Sequence, residues 1–136
     1  MSDSEYIPST RDMAADHVER YLASNGDDGY EFHGAKCVVL TTRGRLTGAI
    51  RRSPLIRVRD GDRYLAVASM GGAPSHPSWY LNLVADPNVT IQARGEVHEL
   101  VARTADPEEK AELWPRAVAQ WPDYEAYQKR TERDIP

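Results

Sequence analysis

The chain has 136 residues, 28% of them charged, and a net charge of −4 at pH 7 from 17 Lys and Arg against 21 Asp and Glu. This length makes one domain, able to bury roughly two-thirds of its unfolded surface without a metal or disulfide frame, and the single cysteine, Cys37, cannot close an internal disulfide. The acidic balance argues against a nucleic-acid partner. No run approaches the roughly 20 apolar residues of a membrane span, and the N-terminus is no signal peptide, so a cytoplasmic protein is expected.

In chain order, residues 1–8 read as disordered. From Thr10 to Ser24, Met13, Val18, Tyr21 and Leu22 fall near one face of a helix, with Ser9 or Thr10 as its N-cap and Gly26 as its stop. Residues 27–34 read as a loop. β-branched runs at 36–42, 50–59, 63–69, 89–93 and 96–104 predict strands, and Asp60-Gly61-Asp62 and Arg94-Gly95 supply hairpin turns. The arginines interrupting Ile50, Leu55 and Val58 predict one wet, positive strand face. Pro77 and Asp86-Pro87 bracket a short helix over 78–85. Residues 104–109, with acids in the first turn, open a helix that runs to about Gln120. Trp121-Pro122 breaks it, and Tyr124 and Tyr127 sit on a last short helix. This order predicts an α+β domain with a small split antiparallel β-barrel, or β-roll, flanked by short helices: residues 10–25 form the N-terminal helix and 35–136 the barrel. Neither a Rossmann nor a P-loop glycine signature is present, which excludes phosphate binding by those two devices.

The chemistry concentrates between residues 40 and 82. Seven of the 17 basic residues lie between Arg43 and Arg63, against Asp60 and Asp62 alone, so an acidic protein carries one locally positive stretch. In the turn Gly44-Arg45-Leu46-Thr47-Gly48, backbone N–H groups and a hydroxyl stand close to Arg45, Arg51 and Arg52, which suits a phosphate or polycarboxylate tail. The competing reading is a solvated hairpin end with ordinary surface arginines. Ser69-Met70-Gly71-Gly72 ends a strand in glycines that let a planar ligand approach the backbone, although a plain loop has the same composition. Trp79 and Asn82 share a helix face, an aromatic wall beside an amide, where a tryptophan more often serves the core. Cys37 lies in an apolar run and reads as a buried hydrophobe. His17, His33, His76 and His98 have no metal-ligand spacing, so no metal is expected. No acid–base pair or nucleophile set stands out, which favours a bound cofactor as the source of the chemistry.

Taken together, Leu40-Thr-Thr-Arg-Gly-Arg-Leu-Thr-Gly48, Arg51-x-x-Pro54-Leu55, Ala68-Ser69-x-Gly-Gly72, Pro77-x-Trp79-Tyr80-Leu81-Asn82 and Asp86-Pro87-x-Val89, with Trp114-Pro115 and Tyr124-x-x-Tyr127, resemble the deazaflavin-dependent nitroreductase and quinone reductase family of split-barrel, flavin-reductase-like proteins. The resemblance spans about three-quarters of the chain. It implies reduced coenzyme F-420, an 8-hydroxy-5-deazaflavin, as hydride donor to a quinone, a nitroaromatic or another electron-poor acceptor. Its tail is expected on Arg45, Leu46, Thr47, Arg51, Arg52 and Ser53. Its ring is expected against Pro54, Leu55, Ile56, Val67, Ala68, Ser69, Met70 and the helix residues Ser78, Trp79, Tyr80, Leu81 and Asn82. Ser69, Tyr124 and Tyr127 are the expected catalytic residues, placed to meet the acceptor oxygen. Leu46 and Met70 stand where the family carries lysines, and Ile56 where it often carries tyrosine, so weaker cofactor binding is expected. The residues themselves leave open a non-catalytic carrier of F-420 or of a small hydrophobic ligand, and a flavin mononucleotide or pyridoxamine-oxidase type of enzyme on the same fold. Asp12, Asp16 and Glu19 on the first helix argue against a stable membrane anchor and leave only transient contact.

Overall fold

The computed structural model describes residues 12–32 and 34–136. The segment 1–8, the caps Ser9 and Thr10, His33 and the side chains of Asp12 and Met13 lie outside what it describes. Helix α1 spans Asp12–Ala23 and ends as expected in left-handed backbone, with φ of 52° at Asn25 and 85° at Gly26. Gly26 is obligatory for a second reason: a Cβ there would sit 2.3 Å from the Cα of Arg94 in the turn between two strands.

Strand β2, Ala35–Arg43, is the spine of the fold. Its apolar run is buried on both faces. Cys37 and Val39 pack under Val18 and Tyr21 of α1, while Val38 and Leu40 pack with Leu83 of helix α2 (Ser78–Ala85) and with Val89 and Ile91 of strand β6 (Asn88–Ala93). Tyr21 is fully buried and ties the layers together. Its hydroxyl lies within donating distance of the carbonyls of Cys37 (3.0 Å) and Gln92 (3.2 Å), and it accepts from the Arg94 N–H (2.7 Å).

The class is α+β and antiparallel, as expected, and the split in the barrel is real. A five-stranded antiparallel sheet joins β1 (Glu31–Phe32), β2, β6 (Asn88–Ala93) and β7 (Glu96–Val101), with β3 (Ile50–Ile56) added on β2, and this sheet does not close. Hairpin β4–β5, Val58–Asp60 with Arg63–Leu65, stands apart and packs under the C-terminal helices. The expected strand over 50–59 is therefore two strands broken at Arg57. The expected strand over 63–69 stops at Leu65, because Ala68 N–H donates to the Pro136 carbonyl (3.0 Å) instead of to a neighbouring strand. Strand β1 lies inside the expected loop.

Among the described strands β3 pairs only with β2, and this open edge tolerates Pro54, which has no N–H to offer a ladder. Every residue of β3 is half-buried, so neither face is dry. Helix α2 spans Ser78–Ala85. Helix α3, Pro107–Gln120, starts in a capping box in which Asp106 accepts from the Glu109 N–H and Glu109 reaches back to the Asp106 N–H. Helix α4, Asp123–Arg130, folds back over the β4–β5 hairpin: Val58, Ala117 and Tyr124 form its core, with Trp114 and Trp121 beside them. Among the described residues no helix is long and apolar enough to cross a membrane.

Candidate active site

Between β3, the segment after β5, the start of α2 and helix α4 lies a cavity of about 550 Å3. Its long wall is the open strand β3, which contributes Arg51, Arg52, Ser53, Pro54, Leu55 and Ile56. Val67, Ser69 and Met70 come from the segment after β5, and Ser78, Trp79 and Asn82 from α2. Tyr124 and Tyr127 of α4 close the fourth side. Most of the residues singled out in the sequence thus converge on one space. Arg45, Leu46, Thr47, Ala68, Tyr80 and Leu81 do not line it. Ala68 is turned into the core, and Tyr80 points to the other side of α2, where its hydroxyl meets Thr104 Oγ1 at 2.9 Å. Sequence reasoning missed Ala14 and His17 of α1, Cys37, Gly71, Pro77 and Trp121, all of which face the cavity. No motif marks α1, because its contribution depends on how it docks.

The basic turn reaches the site through Asn82. Asn82 is buried, and its Oδ1 accepts from both the backbone N–H (3.1 Å) and Nη1 (2.9 Å) of Arg45, while its Nδ2 donates to Thr42 Oγ1 at 3.4 Å. The amide expected to read a heterocycle therefore anchors the turn to α2, and Arg45 is engaged in holding it. Leu46 at the tip is 86% exposed and away from the cavity, whereas Met70 lines it. Of the two positions where the resemblance leads one to expect lysine, 70 bears directly on this space and 46 does not.

Arg51 and Arg52 face the cavity, so one end of it carries positive charge in half-buried surroundings. Trp79, Pro54, Leu55 and Val67 make a flat, apolar stretch of wall. Ser69 is buried, and its side chain makes no capping bond to the 3-10 turn that follows it, Met70–Gly72. Tyr124 is 5% exposed; burial, and after it the neighbouring Tyr127, raises its phenol above the ordinary range, so it keeps its proton. Tyr127 accepts from Trp121 Nε1 at 3.3 Å, which orients its hydroxyl and leaves its proton to donate. An anionic tail, a flat ring and an acceptor oxygen each find fitting groups here.

Cys37 also touches the cavity, and burial pushes its thiol up to about 11. It is therefore a neutral thiol at neutral pH and no nucleophile. In the folded protein at pH 8, Cys37 is expected to react with a disulfide reagent far more slowly than in denaturant. Equal rates in the two conditions would place it outside the core.

The model for the F420H(2)-dependent quinone reductase family matches residues 13–136. The chain belongs to this family. It is an oxidoreductase that uses coenzyme F-420, which sets aside the carrier and the flavin mononucleotide readings. The F420H(2)-dependent quinone reductase Rv1261c of Mycobacterium tuberculosis (strain H37Rv) is 38% identical over 124 residues, 88% of this chain and 83% of that one. Among solved structures, one titled "Structure of F420-H2 Dependent Reductase (FDR-A)" superposes with a TM-score of 0.69 at 42% identity over 74% of this chain and 89% of that one. Another, described as a domain-swapped dimer, superposes with a TM-score of 0.72 at 39% identity over 94% and 96%.

Proposed function

We propose that the enzyme reduces quinones, and electron-poor nitroaromatics with them, in the 550 Å3 cavity, with Arg51 and Arg52 holding the cofactor's anionic tail. Bound F-420 supplies the hydride. Pro54, Leu55, Ile56, Val67 and Trp79 orient the flat ring and exclude water from one of its faces. The Ser69 hydroxyl and the phenols of Tyr124 and Tyr127 meet the acceptor oxygen as it gains charge, and a phenol that keeps its proton can donate a hydrogen bond to it. The observation that carries this reading is that one cavity brings together two arginines, an apolar wall and three hydroxyls. We place the enzyme in the cytoplasm, since the free Cys37 fits a reducing compartment.

Reduced F-420 mixed with menadione tests it. The cofactor is expected to be oxidised at a rate that rises and saturates with menadione. Tight binding without turnover of any quinone, nitroaromatic or enone would sink the reading.

Arg51→Ala is expected to weaken F-420 by about 1.5–3 kcal/mol, the scale of a hydrogen bond to a charged group. Arg45→Ala should cost less, because Arg45 is engaged by Asn82. Fluorescence titration with cofactor forms differing in glutamate number separates tail from ring contacts. Equal losses for every form would assign Arg51 to the phosphate or to folding.

A further inference from the structure

Ser69 is followed by three residues of positive φ: Met70 at 46°, Gly71 at 64° and Gly72 at 82°. The glycines take this region freely, but Met70 is strained there. The two bonds inside the segment, Gly72 N–H to Ser69 O (2.9 Å) and Ala73 N–H to Met70 O (3.1 Å), tie it only to itself. Residues 130–136 tie it to the rest of the molecule. Arg133 donates from Nη2 to Ser69 O (2.7 Å), from Nε to Ala73 O (2.8 Å) and from Nη1 to Ala68 O (3.0 Å), and Nη1 also lies 3.0 Å from His76 Nδ1. Arg130 Nη1 adds a bond to Gly71 O at 3.3 Å. Arg133 is itself fixed: its carbonyl accepts from Gln128 Nε2 at 2.8 Å, and two residues on Ile135 is fully buried.

We propose that Arg133 is a positioning residue for the acceptor side of the reaction. It does not line the cavity, and it sets where the Ser69 hydroxyl and the Met70 side chain stand inside it. A guanidinium is the one side chain that can do this. Its planar fork offers five N–H donors, enough to hold three carbonyls and an imidazole nitrogen at fixed angles, whereas an ammonium is a point charge with three. The constraint matters because a shift of about 1 Å in a group that meets the reacting atoms costs on the order of a hundredfold in rate. The proposal rests on the role given to Ser69 above.

Arg133→Met keeps the aliphatic stem without the donors, and Arg133→Lys keeps the charge without the fork. In the unliganded protein, hydrogen exchange at the amides of Gly72 and Ala73 is expected to quicken about tenfold or more in Arg133→Met and less in Arg133→Lys, while β2 and β6 keep wild-type protection. In turnover with menadione, kcat is expected to fall about tenfold or more with KM for reduced F-420 within about threefold, and Arg133→Lys to recover part of it. Unchanged exchange at residues 72 and 73, protection lost across β2 and β6 as well, or wild-type kcat would overturn the proposal. A wild-type protein that fails to oxidise reduced F-420 would remove the quinone reductase reading instead. The exchange comparison would then still decide whether Arg133 holds the segment.

Discussion

Gly72→Ala is expected to lower stability by about 2–4 kcal/mol, adding left-handed strain to a backbone clash. The residue has φ of 82°, and a Cβ built on it would lie 2.6 Å from the carbonyl oxygen of Tyr127 and 2.9 Å from Cβ of Arg130. Both neighbours belong to α4, whose underside is core, so the helix has little room to withdraw. Gly71→Ala is the matched control: φ is 64° and nothing lies within 4 Å, which leaves only the strain, about 1 kcal/mol or somewhat more. Urea denaturation of the two variants gives the difference directly. If they cost the same, α4 yields easily, and the fourth wall of the cavity is softer than its packing implies.

Tyr124→Phe is expected to lower kcat with quinones by on the order of a hundredfold, the scale of one lost oxyanion donor, and to leave the melting temperature nearly unchanged. No hydrogen bond to the Tyr124 hydroxyl forms among the described residues, so the ring alone serves the core and the hydroxyl is left to the cavity. Because burial raises this phenol above its ordinary value of 10, its proton stays in place across neutral and mildly alkaline pH, and this residue should cause no loss of kcat there. Tyr127→Phe differs in a measurable way. It removes the acceptor used by Trp121 Nε1, so a stability loss of about 1 kcal/mol should accompany its kinetic effect. Full activity in both variants would leave Ser69 and the backbone to orient the acceptor, and the role given to α4 would be wrong.

The parts of the site carried by local pattern were legible in the sequence. Helix α2 falls on the expected residues between its two prolines, β2 is the apolar run it appeared to be, and the acids at the start of α3 form a capping box. The arginines of β3 and the tyrosines of α4 lie on elements that short-range rules place well, whereas Ser69 lies past the end of β5 rather than at a strand end. Interactions made across the fold were not legible. Asn82 reads as a ligand amide in sequence, and only its spatial relation to Arg45, 37 positions earlier, makes it the anchor of the turn. A two-residue strand such as Glu31–Phe32 carries no periodicity to detect. The segment 63–69 has strand composition, but its hydrogen bonds go partly to Pro136, and no local signal announces such a partner. Arg133 and Ile135 belong to no local motif, and only their contacts reveal what they hold.

The clamp of Arg133 on residues 68–73 joins parts of the chain some 60 positions apart, and this sets an order of assembly. Translation delivers α1, the five-stranded sheet and α2 first, and domains begin to organise from the N-terminal side as they emerge. The sheet core of Val38, Leu40, Val89 and Ile91 can therefore form on the ribosome while Ser69 and its neighbours still lack the side chains that hold them. A nascent chain at that point has the wall of β3 and its arginines but no closing helix and no fixed Ser69. A polypeptide truncated before α4 is therefore expected to keep the sheet core while losing both the fourth wall of the cavity and the hold on residues 68–73.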